Sequence, residues 1–78
     1  MGSKLTDSVQ RAFAVLEAFT PTTSSMALQQ IVDRVGLPKG TTFRYLRTLM
    51  FLGYISRNAD SGRYMLSPKV LDLGFALL

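Results

Sequence analysis

The chain contains no cysteine, no histidine and no tryptophan, and its acids are four aspartates and a single glutamate. Without cysteine there is no disulfide framework and no thiolate chemistry. Without histidine the commonest general base and the commonest metal ligand are both missing. Five scattered carboxylates do not supply a nucleophile–base pair, so a self-contained enzyme is excluded as the working expectation, and no cofactor is expected. No apolar run approaches the ~18–20 residues of a membrane span, and no signal peptide opens the chain, so a cytoplasmic protein without membrane contact is expected.

What is present is a small basic globular composition. The chain has 78 residues, 47% hydrophobic and 18% charged, with a net charge of +4. A chain of this size buries only about 60% of its unfolded surface, enough for one modest core. The charge is not evenly spread. Residues 39–63 hold Lys39, Arg44, Arg47, Arg57 and Arg63 against Asp60 alone, while the remaining charges cancel. Clustering of one sign makes a local field that attracts phosphate, although a solvated basic face is the plainer reading of charge by itself.

Met1-Gly2-Ser3 reads as a start residue and cloning scar, and residues 1–6 as an arm outside the fold. A first helix is expected from about Ser8 to Phe19, with Asp7 as N-cap and Gln10 completing a capping box. Its main stripe is Val9, Ala12, Phe13 and Leu16, but Ala14, Val15, Ala18 and Phe19 make it apolar around most of its circumference. Such a helix is normally covered on more than one side. Pro21 and the Thr-Thr-Ser-Ser run end it. Ser25-Met26-Ala27 can pair as a short strand. Leu28 to Val35 reads as a second helix with Leu28, Ile31, Val32 and Val35 on one face, stopped by Gly36.

A third helix is expected from Pro38 or Lys39 to Leu52, stopped by Gly53. At 100° per residue Thr42, Tyr45, Leu46 and Leu49 share one side, and Gly40, Arg44 and Arg47 lie opposite. Residues 54–57 and 63–66 are strand-like and flank Asn58-Ala59-Asp60-Ser61-Gly62, a turn-forming loop, so they predict a β-hairpin. Ser67 as N-cap and Pro68 at the first helical position then open an apolar last helix. That helix runs to Leu78 without a cap, as expected of a piece of a longer chain.

This order describes a mainly α fold with a small β-hairpin, a winged helix-turn-helix over residues 7–66. Gly36 accepts the left-handed conformation that swings the chain into the third helix, and Leu37 fills the angle between the two helices. The third helix can then present Arg44 and Arg47 to a major groove, which admits one α-helix. The free N–H groups of its first turn, at Lys39, Gly40 and Thr41, suit a phosphate. Phe43 lies at the edge of the face, either packed or touching a thymine methyl. Arg57 and Arg63 on the hairpin either contact phosphate or minor groove, or are solvated. Ser25 either donates to phosphate or serves the turn.

In this setting the chain resembles the N-terminal domain of the IclR family of bacterial transcription regulators. The likeness rests on Ser8-Val9-Gln10-Arg11-Ala12, Gly36-Leu37-Pro38-Lys39, Thr41, Arg44, Thr48-Leu49, Gly53-Tyr54-Ile55, Gly62-Arg63-Tyr64, Leu66 and Leu71, Leu73 and Gly74. Any one motif is weak, and the ordered set is strong. The resemblance implies a homodimer reading a near-palindromic double-stranded operator. It also implies an absent C-terminal domain that binds a small-molecule effector, reached through a linker helix of which residues 67–78 are the start. A phosphate or intersubunit contact at Arg11 is implied in the same way. The chain departs from the family at Gly40, where serine is common, at Phe43, where a polar or basic residue is frequent, and at Phe51 and Leu52, which replace residues that are often acidic. Phe13, Val15, Phe19, Leu73 and Phe75 are candidates for the dimer interface, against a role in the chain's own core. A winged helix used only for protein contact is the alternative function, and the basic third helix argues for DNA. A binder of single strands or RNA ranks last, because most aromatics fall at core-like positions.

Overall fold

The computed structural model describes residues 4–78, and the expected cloning scar at residues 1–3 lies outside the described residues. The elements follow in the order α1 (Asp7–Glu17), β1 (Ser25–Met26), α2 (Leu28–Val35), α3 (Lys39–Leu52), β2 (Ile55–Arg57), β3 (Tyr64–Leu66) and α4 (Val70–Leu77). The three strands form one antiparallel sheet in the order β1-β3-β2.

The first helix differs from its reading at both ends. Thr6, not Asp7, is the extended N-cap residue, and no side chain caps the helix there. Asp7 is instead the first helical residue, where its carboxylate meets the positive end of the helix dipole. The helix ends at Glu17, two residues early: the N–H of Thr20 turns to the carbonyl of Thr23 at 3.2 Å and Pro21 has none to offer, and Arg34 of α2 reaches across to the end. Its Nη1 donates to the carbonyl of Ala18 at 2.9 Å, and its Nη2 to Thr23 Oγ1 at 3.1 Å. A last-turn carbonyl left open by the helix is thus satisfied from a neighbouring element. The N-cap of α2 is Ala27, whose N–H donates to Gln30 Oε1 at 2.8 Å, so half of a capping box forms here.

The core consists of Val15, Ala18, Phe19, Met26, Ile31, Leu46, Leu49, Ile55 and Tyr64. The buried face of α1 is therefore centred on Val15. Val9 and Phe13, expected in its main stripe, are more than half exposed. Conversely Val15 and Phe19, candidates for a dimer interface, are inside the core of this one chain. Both corrections have one cause: a helix apolar nearly all round does not declare its inner face. Among the described residues Thr42 is the buried polar one, and its Oγ1 donates to the carbonyl of Pro38 at 3.0 Å.

The last helix begins later than expected. Ser67 does not cap it. Its hydroxyl donates to the carbonyl of Gly53 instead, and a tight turn at Pro68 and Lys69 leads into Val70. No residue of α4 is buried, and Leu71, Leu73, Phe75 and Leu77 are all exposed. Among the described residues no helix is long and apolar enough to cross a membrane.

Candidate nucleic-acid interface

The site begins at the turn between α2 and α3. Gly36 has φ +72°, a left-handed conformation that glycine adopts without steric cost, and its N–H closes α2 on Val32 at 3.0 Å. Leu37 is half-buried. Pro38 then stands extended before α3, whose start has neither a side-chain cap nor an acidic residue in its first turn. The first N–H groups of α3, at Lys39, Gly40 and Thr41, are thereby left to an external acceptor. A Cβ placed on Gly40 would meet nothing within 4 Å, so the backbone lies open at that point.

One side of α3 is fixed to the core by Thr42, Leu46 and Leu49. The opposite side is exposed and carries Arg44, Arg47, Thr48 and Phe51, which share a shallow surface depression. Thr48 Oγ1 donates to its own helix at the carbonyl of Arg44, 3.1 Å away. Phe43 is 40% exposed at the edge of this face, with the guanidinium of Arg47 6.0 Å from the centre of its ring. Gly40, Arg44 and Arg47 are exposed on the side that the wheel sets opposite the core, with Lys39 and Thr41 in the first turn and Phe43 at the edge.

The hairpin is set by its loop. Asn58 Oδ1 accepts the N–H groups of Asp60 and Ser61, each at 2.9 Å, and Gly62 takes φ +74°. The two hairpin arginines differ. Arg57 is exposed and lies over the Tyr64 ring at 5.8 Å. Arg63 is half-buried and turned inward. Its Nε donates to Ser25 Oγ at 3.0 Å and its Nη2 to the carbonyl of Ser25 at 2.6 Å. Ser25 and Arg63, each considered for a DNA contact, therefore hold each other and tie β1 to the base of the hairpin. Arg11 is exposed on α1, on a different element from the α3 face.

Two residues outside the expected site help to position it. Lys69 Nζ donates to the carbonyl of Leu52 at 2.8 Å and sits 4.9 Å from the Tyr54 ring centre. Arg34 closes α1 as described above. The missing basic residue in the last turn of α1 was a faint sign that such a cap would come from elsewhere.

Comparison with known proteins agrees with this geometry. The family model of the IclR helix-turn-helix domain matches residues 8–59. The chain is 39% identical over 71 residues to the Pca regulon regulatory protein of Pseudomonas putida, covering 91% of this chain and 24% of that protein. It is 34% identical over 67 residues to the transcriptional regulator XynR of Escherichia coli, covering 86% and 27%. Its fold matches the crystal structure of an IclR family transcriptional regulator from Brucella abortus with a TM-score of 0.91 and 39% identity, covering 96% of this chain and 28% of that one. The chain thus spans about a quarter of the length of these relatives. The matched residues contain the α2-turn-α3 unit and its basic outer face, and on that ground the chain belongs to the IclR family and is its DNA-binding helix-turn-helix domain.

Proposed function

We propose that residues 7–66 read a specific double-stranded sequence for a ligand-responsive bacterial transcription regulator working in the cytoplasm. Helix α3 enters the major groove, with Arg44 and Arg47 on base edges or phosphate and the uncapped first turn at Lys39, Gly40 and Thr41 on a phosphate. Arg57 reaches the backbone or minor groove from the hairpin, and Arg11 adds a phosphate contact from α1. Arg63 and Ser25 act from inside, by fixing the hairpin to β1. The observation that carries this reading is the exposed basic face of α3, opposite a side locked into the core.

The same reading makes residues 67–78 the start of a linker helix to an effector-binding region. It makes the working unit a homodimer on a near-palindromic operator. Phe13, Leu73 and Phe75 are exposed apolar side chains on α1 and α4 that a second copy would cover.

The test is a titration of the chain against random duplex and against a duplex selected from a randomised library, at two salt concentrations. The expected result is a steep loss of affinity with salt and preference for a selected palindrome. A folded chain that binds no duplex at low salt, even when fused to a dimeriser, would overturn the reading. Sedimentation of the chain bound to the selected site tests the stoichiometry, where two chains per site are expected.

A further inference from the structure

The major-groove edges of the bases present polar atoms at nearly every position, and their one apolar group is the C5 methyl of thymine. The exposed side of α3 matches this with arginines and two rings, Phe51 in the last turn and Phe43 in the first half, the part of a recognition helix that meets base edges. Phe43 belongs neither to the core cluster nor to the hydrophobic residues packed against it. The ring therefore keeps an exposed side. The ring is also not free, because Arg47, one turn further along, holds its guanidinium 6.0 Å from the ring centre. A cation over an aromatic face restrains both side chains and leaves the rest of the ring open. Gly40, one turn earlier, has no side chain to keep the first half of α3 away from the bases.

Resting on the groove reading above, we infer that Phe43 is a specificity-determining residue whose ring covers the C5 methyl of a thymine. The 6.0 Å between ring centre and guanidinium is less than two base-pair steps of ~3.4 Å each. The thymine therefore lies in the base pair taken by Arg47 or in an adjacent one. The operator preference of this chain then contains a methyl-bearing position coupled to the Arg47 contact.

Uracil lacks only the methyl group of thymine, so it isolates the contact. The library-selected duplex is compared with copies in which each thymine in turn is replaced by uracil. At one thymine, or at one symmetry-related pair, the replacement lowers affinity about fourfold, the effect of burying one methyl group. Phe43→Ala binds the thymine and uracil duplexes equally, whereas Phe43→Leu still distinguishes them. Leu52→Ala, which removes an exposed apolar side chain from the last turn of the same helix, leaves the discrimination intact. Thermal unfolding of each variant confirms that it is folded. The inference is overturned if no uracil replacement matters, if discrimination survives Phe43→Ala, or if Leu52→Ala abolishes it. Failure to bind any duplex is a different result, which overturns the groove reading itself and this inference with it.

Discussion

The ammonium of Lys69 caps the last residue of α3: its Nζ donates to the carbonyl of Leu52 at 2.8 Å, over the ring of Tyr54. The neighbouring carbonyls of Gly53 and Tyr54 accept from the hydroxyl and the N–H of Ser67. Three successive acceptors at the end of α3 are thus held by the segment that leads into α4. A cation at a helix C-terminus is favoured by the dipole as well as by the hydrogen bond.

Lys69→Ala is expected to lower stability by about 1 kcal/mol, combining an exposed hydrogen bond with a surface cation–π contact. Lys69→Met keeps the aliphatic stem and is expected to recover only part of the loss. Urea unfolding of both variants checks this, and an unchanged midpoint for Lys69→Ala would contradict the capping role.

The Arg63–Ser25 pair predicts an ordered series. Arg63→Ala leaves Ser25 without its two donors and is expected to cost about 1–3 kcal/mol. Arg63→Lys cannot reproduce the fork that spans Oγ and the carbonyl, so it should rescue little. Ser25→Ala removes one acceptor and should cost less than either. Denaturant midpoints give the order, and a neutral Arg63→Ala would show that the pair holds nothing.

Three glycines separate by backbone conformation. Gly36 and Gly53 have φ of +72° and +92°, so alanine at either is expected to cost about 1–2 kcal/mol. At Gly53 a Cβ would also press on the stem of Lys69 at 3.2 Å. Gly40 is helical with open space around it, so Gly40→Ala should stabilise by up to about 1 kcal/mol. Destabilisation by Gly40→Ala would contradict the open backbone there.

On DNA, Arg44→Ala and Arg57→Ala are expected to fail differently. Loss of a base contact by Arg44 costs about 1–3 kcal/mol and relaxes preference at one base pair. Loss of a phosphate contact by Arg57 weakens binding to every duplex alike and reduces the salt slope by about one. Salt titrations on selected and random duplexes separate the two patterns.

The elements most legible in the sequence were those with their own punctuation. Gly36 and Gly53 end α2 and α3 where expected, and the Asn58–Gly62 loop gives the hairpin away. The outward face of α3 was equally plain, because arginines at its positions 44 and 47 oppose leucines at 46 and 49. What was hidden depended on partners remote in the chain. No local rule tells which side of α1 is inner when Val9, Phe13, Val15 and Phe19 are all apolar. The inward turn of Arg63 requires knowing that Ser25, 38 residues away, lies beneath it. Ser67 and Pro68 form a good helix start on paper, yet the Gly53 carbonyl competes for the same hydroxyl and wins. Of the site itself, the helix was readable and the wing's division of labour between Arg57 and Arg63 was not.

The central strand of the sheet also fixes an order of assembly. β3 pairs with β2 across a short loop, a local event, but it pairs with β1 across α2, α3 and the hairpin. Closing so long a segment carries an entropic cost before any contact repays it. β1 is therefore expected to dock after the two helices have folded back on each other. The junction of Ser25 with Arg63 and β3 is then expected to form last and to open first, while the hairpin that carries Arg57 is already paired.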